Sequence, residues 1–321
     1  MGVAFRYFLL SFAIAQQPGA PPILEPLGEF KQREGIARVV CKGDKIFVGD
    51  YSGDVNIYDS NTRAKTTHLR NGHRESIGAM AAPTAKLLVT TSLDNSIAIW
   101  DIEEREIIRK FAHPGPVGAL ASSRQGAVMA SGDVSGEVQL REPRSGKLVM
   151  KFNMGRNVSA LAFVNDRLLA IASFDENRER SGVLTLFDIH KQQATREVSL
   201  EGLPICVSVS PAADRVAVGL RNGQIRMIAM PDMKLAGTIA AHTSRVDGVE
   251  FLSKRLLVSV SHDKTIVVSD IENKKVVHSV ARQHEVVALS VASERETIVT
   301  ADLEGNIALF KYSGTKASNK D

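Results

Sequence analysis

Three observations on this 321-residue sequence predict an all-β fold built from repeated four-stranded units. Apolar residues alternate with polar ones along short runs, the period of a half-buried strand rather than of a helix. Gly, Asn, Asp and Ser cluster between those runs, where tight turns require them. The pattern also recurs at a near-constant spacing. Aligned on "NSIAIWD", ending at Asp101, are "GDVNIYD" ending at Asp59, "GEVQLRE" at Glu142, "GVLTLFD" at Asp188, "GQIRMIA" at Ala229, "KTIVVSD" at Asp270 and "GNIALFK" at Lys311. The steps between successive anchors are 42, 41, 46, 41, 41 and 41 residues.

Within each period the elements follow in one order. An apolar run such as "VGALAS" (117–122) is followed by a turn and by "AVMASG" (127–132). The anchor strand comes next, and an alternating segment such as "KLVMKF" (147–152) closes the unit. A helical solenoid of similar period would show 3.6-residue periodicity, which is missing. Seven such units predict a seven-bladed β-propeller of four-stranded antiparallel blades over residues 22–312. The last anchor is followed by "SGTKASNKD", a polar tail (313–321) unsuited to a strand. The missing strand is expected from the other terminus, because "ILEPLGEFKQREGIARVV" (23–40) parallels "KLVMKFNMGRNVSALAF" (147–163). Residues 23–31 are thus expected to close the ring, hiding sheet edges that would otherwise pair with other chains.

Residues 1–21 fall outside that ring. They carry one Arg, an apolar run over 7–15 and a small-residue triplet, Ala13-Ile14-Ala15. An accessory apolar extension, a cleaved secretory signal and an organelle presequence all fit these features. The run is too short to span a bilayer.

"DNSIAIWDI" (94–102) contains the sole tryptophan, Trp100, followed by Asp101. With Gly72-His73 upstream and Ser92 and Asp94 before the anchor, this unit resembles the repeats of the WD-repeat (tryptophan–aspartate) β-propeller family. The resemblance implies a structural hydrogen-bond set of His73, Ser92, Asp94 and Trp100. The sixth unit keeps His242, Ser261 and Asp263, with Ser269 in the Trp column. The third has His113 with Arg141, and the seventh His284 with Glu304. Tyr58, Phe187 and Phe310 stand for Trp elsewhere. A buried indole N–H needs an acceptor and a buried carboxylate needs donors, so the set is expected to be structural. Two sub-signatures of the family do not match. The double-arginine turn of phosphoinositide binders is replaced by "LRNG" (69–72 and 220–223), and Glu103 stands where cullin-docking propellers carry Arg.

The composition, 44% hydrophobic and 24% charged with a net charge of +4, is that of a globular protein. Two cysteines, Cys41 and Cys206, exclude a disulfide scaffold and suit a reducing compartment. No Lys/Arg run marks a nucleic-acid tail. The eight histidines are not at metal-ligand spacing, and no P-loop, dinucleotide fingerprint or nucleophile elbow occurs. No catalytic residue, metal or cofactor is therefore expected.

The favoured reading is a non-catalytic protein-interaction scaffold or adaptor inside the cell, in the cytoplasm or nucleus, presenting propeller faces to protein partners in a larger complex. The alternatives are a secreted or periplasmic ligand-binding propeller and an enzyme with a central-channel site. The long third step comes from an insertion in the fourth unit, "FDENRERSG" (174–182), expected on the face formed by the turns between second and third strands. Tyr51, Arg156, Phe174, Arg178, Arg180, Arg221 and His262 are the candidate partner-binding residues of that face. Their chemistry points to an acidic or mixed-charge protein segment, since Arg and aromatic side chains dominate interface energetics.

Overall fold

The computed structural model describes residues 24–175 and 181–312. These residues form twenty-eight strands in seven four-stranded antiparallel sheets, with one short 3-10 turn at Ser293–Arg295. Each of the first six blades is a meander in chain order. The second blade, for example, runs Ile77–Thr84, Leu87–Ser92, Ser96–Asp101 and Glu106–Ala112. The inner strands contact one another in succession, and Ile36–Lys42 of blade one meets Val286–Ala292 of blade seven. The sheets therefore close into a ring.

The closing blade takes its outer strand from the N-terminal side. Leu24–Lys31 pairs antiparallel with Asn306–Tyr312, from Leu24 opposite Tyr312 to Lys31 opposite Asn306. Leu24 and Tyr312 are both buried in the apolar cluster shared with blade six. The burial pattern along each blade explains the sequence pattern. Second and third strands, such as Leu87–Ser92 and Ser96–Asp101, are buried almost throughout, whereas outer strands alternate. Seven apolar clusters result, one at each interface between neighbouring blades.

The inner strands converge on the axis, and two sequence features follow. Each carries a β-bulge near its start, one extra residue inserted after the first pair (after the second in blade four), at Ala37, Gly78, Gly118, Ser159, Ile205, Asp247 and Val287. The next position is small in six blades (Ala79, Ala119, Ala160, Cys206, Gly248, Ala288) and is Arg38 in the first. Two residues further along, Glu250 is the one charged member of a ring otherwise made of Val, Ala and Ser. Burial pushes the Glu250 carboxyl up to about 8, against a backbone hydrogen bond at Val291 that favours its charged form. A raised carboxylate favours folding while protonated, so its contribution is complete below the ordinary 4.5 and is lost as pH rises through about 8. Urea midpoints measured from pH 5 to 9 should show this decline in the wild type, and Glu250→Gln should flatten it.

Cys41 and Cys206 are free thiols on the inner strands of blades one and five. Burial pushes the Cys41 thiol up to about 12, and burial also raises Cys206, so neither ionises near neutral pH. Alkylation of the denatured, unreduced chain should label both thiols. A mass two hydrogens short would contradict this placement. A second check concerns closure. A chain that starts at residue 33 lacks the closing strand and should melt about 5 °C or more below one that starts at residue 23, as expected for a loss of ~2 kcal/mol in a domain of this size.

Candidate functional site

The polar side chains of the repeats meet at one end of each blade, where the loop entering the inner strand approaches the turn between second and third strands. In blade two, Trp100 Nε1 donates to Thr90 Oγ1 at 2.9 Å, and Thr90 Oγ1 lies 2.7 Å from His73 Nε2. His73 Nδ1 lies 2.8 Å from Ser96 Oγ and 3.4 Å from Asp94 Oδ1. Burial holds His73 below its usual range, so the ring is neutral at pH 7. The tautomer that leaves every bond intact has its proton on Nδ1, toward Asp94 and Ser96, and accepts the Thr90 hydroxyl proton on Nε2. Burial would raise the Asp94 carboxyl, but the Ser96 hydroxyl, the Arg74 N–H and the nearby charge of Lys110 outweigh it and hold it low. Gly72 is glycine because a Cβ there would collide with Trp100 Cζ2.

This arrangement corrects the hydroxyl assigned from sequence. The acceptor between indole and imidazole is Thr90, not Ser92. Ser92 Oγ instead accepts from Asp94 N at 3.1 Å and donates to Glu75 O at 2.9 Å. The same displacement holds in blade six. There Ser259, rather than Ser261, lies 2.8 Å from His242 Nε2, while Asp263 takes His242 Nδ1 at 3.0 Å. Ser261 donates to Ser244 O at 3.2 Å. Successive strand residues face opposite sides of a sheet, so Thr90 and Ser92 share a face, and only depth along the strand distinguishes them.

Blade seven departs further. Val286 opens its inner strand, and the position four residues earlier, held by histidine in blades two, three and six, is Arg282 rather than His284. The turn carboxylate is Asp302, not Glu304. Asp302 Oδ1 accepts from Glu304 N at 3.0 Å and Asn306 N at 2.9 Å. Blade three likewise uses Asp133, which takes His113 Nδ1 at 2.9 Å, and Ser131 meets Nε2 at 3.0 Å. In blade one Gln32 replaces the histidine, and its Oε1 accepts from Asn56 Nδ2 at 3.2 Å and Tyr58 OH at 3.3 Å. Arg141, in the Trp column of blade three, lies over the Phe111 ring at 4.3 Å from its centroid.

These bonds fix the backbone of one propeller face. In six blades the residue after the second strand donates its N–H to the carbonyl just before the inner strand: Tyr51 to Gly35, Leu93 to Ser76, Val134 to Pro116, Arg221 to Leu203, His262 to Arg245 and Leu303 to Glu285. Phe174 holds the equivalent place in blade four, paired with Asn157 and Gly182. Around the ring this tip position is therefore apolar over five consecutive blades, seven and one to four, and basic over blades five and six. Tyr51, Leu93 and Val134 are 49%, 44% and 42% exposed, high values for large apolar side chains. Gly35 leaves room for this: a Cβ there would lie 2.8 Å from Tyr51 Cδ2. Leu93, Val134 and Leu303 were not singled out from sequence. The signal was available in the column that already held Tyr51, Phe174 and His262.

The candidate residues divide as follows. Tyr51, Phe174, Arg221 and His262 stand at the tips. Arg156 does not join them, because its guanidinium pairs with Glu197 of the same blade's outer strand at 3.8 Å and so extends outward. Arg178 and Arg180 lie outside the described residues. Two further basic residues border the channel mouth. Arg245 binds Asp247 Oδ1 (2.6 Å) and donates to His262 Nε2 (2.7 Å). Arg38 is solvent-exposed yet senses Asp247, Tyr51, Arg245 and Cys206, groups on blades one, five and six, which places its guanidinium toward the axis. Among the described residues, no group of three or more His, Cys, Asp or Glu side chains is placed to hold a metal ion, and no helix is long and apolar enough to cross a membrane.

The closed ring of seven meandering blades and its relay of indole, hydroxyl, imidazole and carboxylate define a propeller of tryptophan–aspartate repeats. Comparison with known proteins agrees. The family model for the WD domain, G-beta repeat, matches residues 64–101, which comprise the outer strand of blade one and the first three strands of blade two. WD repeat-containing protein 55 of Arabidopsis thaliana is 22% identical over 73% of this chain and 67% of its own length. The small ribosomal subunit protein RACK1y of Oryza sativa subsp. japonica is 25% identical over 45% of this chain and 44% of its own. Protein NEDD1 of Homo sapiens is 24% identical over 68% of this chain and 33% of its own. The match thus spans less than two thirds of the rice and human proteins. The chain is a WD-repeat β-propeller.

The relay yields a stability test. Thr90→Val strands both the indole N–H and the imidazole nitrogen and should cost ~2 kcal/mol in urea unfolding. In a Trp100→Phe background the same change should cost about 1 kcal/mol less, because one stranded partner is already gone. Equal costs in the two backgrounds would contradict the assignment of Thr90.

Proposed function

We propose that this protein is a non-catalytic scaffold that binds protein partners on the turn-tip face, inside the cell and within a larger assembly. One observation carries the reading. Five consecutive blades present an apolar tip residue, three of them large and more than two-fifths exposed, on a backbone held by repeated hydrogen bonds. Exposed apolar side chains on a rigid frame form an interface at low entropic cost, since little has to be ordered on binding. The polar residues of the repeats support the same reading. The His and Asp side chains of blades two, three and six are committed to structural bonds, which leaves them no free role as acid, base or nucleophile. The name of the rice relative places that protein in the small ribosomal subunit, a multicomponent assembly.

The expected outcome of a double change is specific. Tyr51→Asp with Leu93→Asp removes apolar contact area from two exposed positions and should leave the melting temperature within about 2 °C of wild type, because exposed substitutions rarely exceed ~0.5 kcal/mol. Proteins that co-purify with the tagged wild-type chain should fall at least tenfold in quantitative mass spectrometry of the variant. A matched change on the rim, Val149→Asp, should leave them in place. Retention on the double variant and loss on the rim variant would move the site to the outer strands.

A further inference from the structure

We propose that the turn-tip face takes an extended peptide segment carrying a carboxylate side chain next to an apolar one, with the carboxylate in the channel mouth at Arg38 and Arg245 and the apolar side chain on Tyr51 and Leu93. This inference rests on the reading of that face as the binding surface and adds the chemistry of its partner.

The argument begins with an arginine that lacks an anion. Arg38 makes one side-chain hydrogen bond, from Nη1 to the carbonyl of its neighbour Ala37 at 2.7 Å, and no ion pair with any described residue. A guanidinium has five N–H donors in a planar fork suited to a carboxylate. The carboxylate that Arg38 senses most, Asp247, is already engaged: Arg245 Nε and Nη2 both reach its Oδ1, at 2.8 and 2.6 Å. Its Oδ2 has no hydrogen-bond donor and lies 3.5 Å from His262 Nε2. Two guanidinium groups near one carboxylate leave one positive charge that no ion pair among the described residues balances. Arg221 at the tip of blade five adds to that field. Glu285 opposes it from blade seven, where it faces His262 and Lys264.

The sign and size of this surplus select the ligand. A monoanion matches one uncompensated charge, whereas a phosphate dianion would bring a second negative charge against Asp247, which is 94% buried. Tyr51 packs over Gly35, three residues before Arg38, so the apolar arc starts directly beside the guanidinium. A segment that satisfies both must offer neighbouring acidic and apolar side chains. Extended chain does this, because successive side chains splay to opposite sides and can reach the mouth and the tips together.

The test is selection of a random twelve-residue peptide display library on the full-length chain, followed by fluorescence titration of the strongest recovered peptide. Recovered sequences should share Asp or Glu beside Leu, Ile, Phe or Met. Replacing that acid by its amide should weaken binding at least tenfold. Arg38→Gln should weaken the acidic peptide equally but leave the amide peptide unchanged, and Arg38→Lys should fall between, with all melts equal to wild type. If the amide peptide binds as well as the acid, or Arg38→Gln has no effect while Tyr51→Asp/Leu93→Asp abolishes binding, the carboxylate proposal fails and the face remains the site. A phosphoserine in place of the acid that binds tighter also overturns it, in favour of a phosphopeptide. Recovered peptides indifferent to Tyr51→Asp/Leu93→Asp, or none recovered at all, overturn the reading of the face itself.

Discussion

A single four-stranded blade has two apolar faces and can bury neither alone. In this protein the second and third strands of each blade are apolar on both sides, so each sheet needs a neighbour left and right. Seven clusters at seven interfaces meet that demand, and a ring without ends is what allows every interface to be equivalent. The pairing of Leu24–Lys31 with the last blade is therefore a condition for the rest rather than an ornament at the terminus. Without it, blade seven would expose an unpaired third strand and a partly uncovered interface with blade six.

Packing tolerates considerable change in the polar set. The relay that joins Trp100, Thr90, His73 and Asp94 is complete in blade two, and blade six keeps the imidazole, hydroxyl and carboxylate with Ser269 in place of the indole. Blade one substitutes a glutamine and a tyrosine, and blade three an arginine stacked on phenylalanine. Each substitution still pairs most buried polar atoms, which is the actual constraint, since a stranded donor costs more than a missing bond. Ser269 and Ser173 are exceptions, buried hydroxyls without a partner. Divergence of this kind is affordable because the apolar interfaces carry the fold.

Near-equivalent blades make differences between them informative. One backbone bond recurs in six blades and holds each tip residue in the same place relative to the axis. Whatever varies at that position varies against a fixed frame, so five apolar residues followed by Arg221 and His262 amount to a patterned surface rather than seven unrelated loops. The same logic applies inside the channel, where small residues dominate because the strands converge. Arg38 and Glu250 depart from that pattern. One gives the mouth an unmatched charge, and the other is a carboxyl that stays protonated near neutral pH.

The fold and the closure of the ring were legible in the sequence because both are periodic. Alternation marks strands, the spacing of forty-one residues marks blades, and the likeness of 23–40 to 147–163 marks the closing strand. Residue types alone also showed that Trp100 needed a partner. Depth along a strand is not periodic, and that is where sequence reasoning was misled. Thr90 and Ser92 point the same way two residues apart, and only the approach of His73 decides which hydroxyl it meets. His284 and Glu304 matched the expected residue types, yet the bulge register puts Arg282 in the place of the histidine, and the turn is held by Asp302, which stands in the column of Ser92 rather than of Asp94. Arg156 read as an unpaired surface cation, whereas its guanidinium lies 3.8 Å from Glu197, forty-one residues later. The apolar arc and the arginine at the mouth are properties of the closed ring. They join residues of different blades that no local pattern connects, and so belong to the tertiary structure alone.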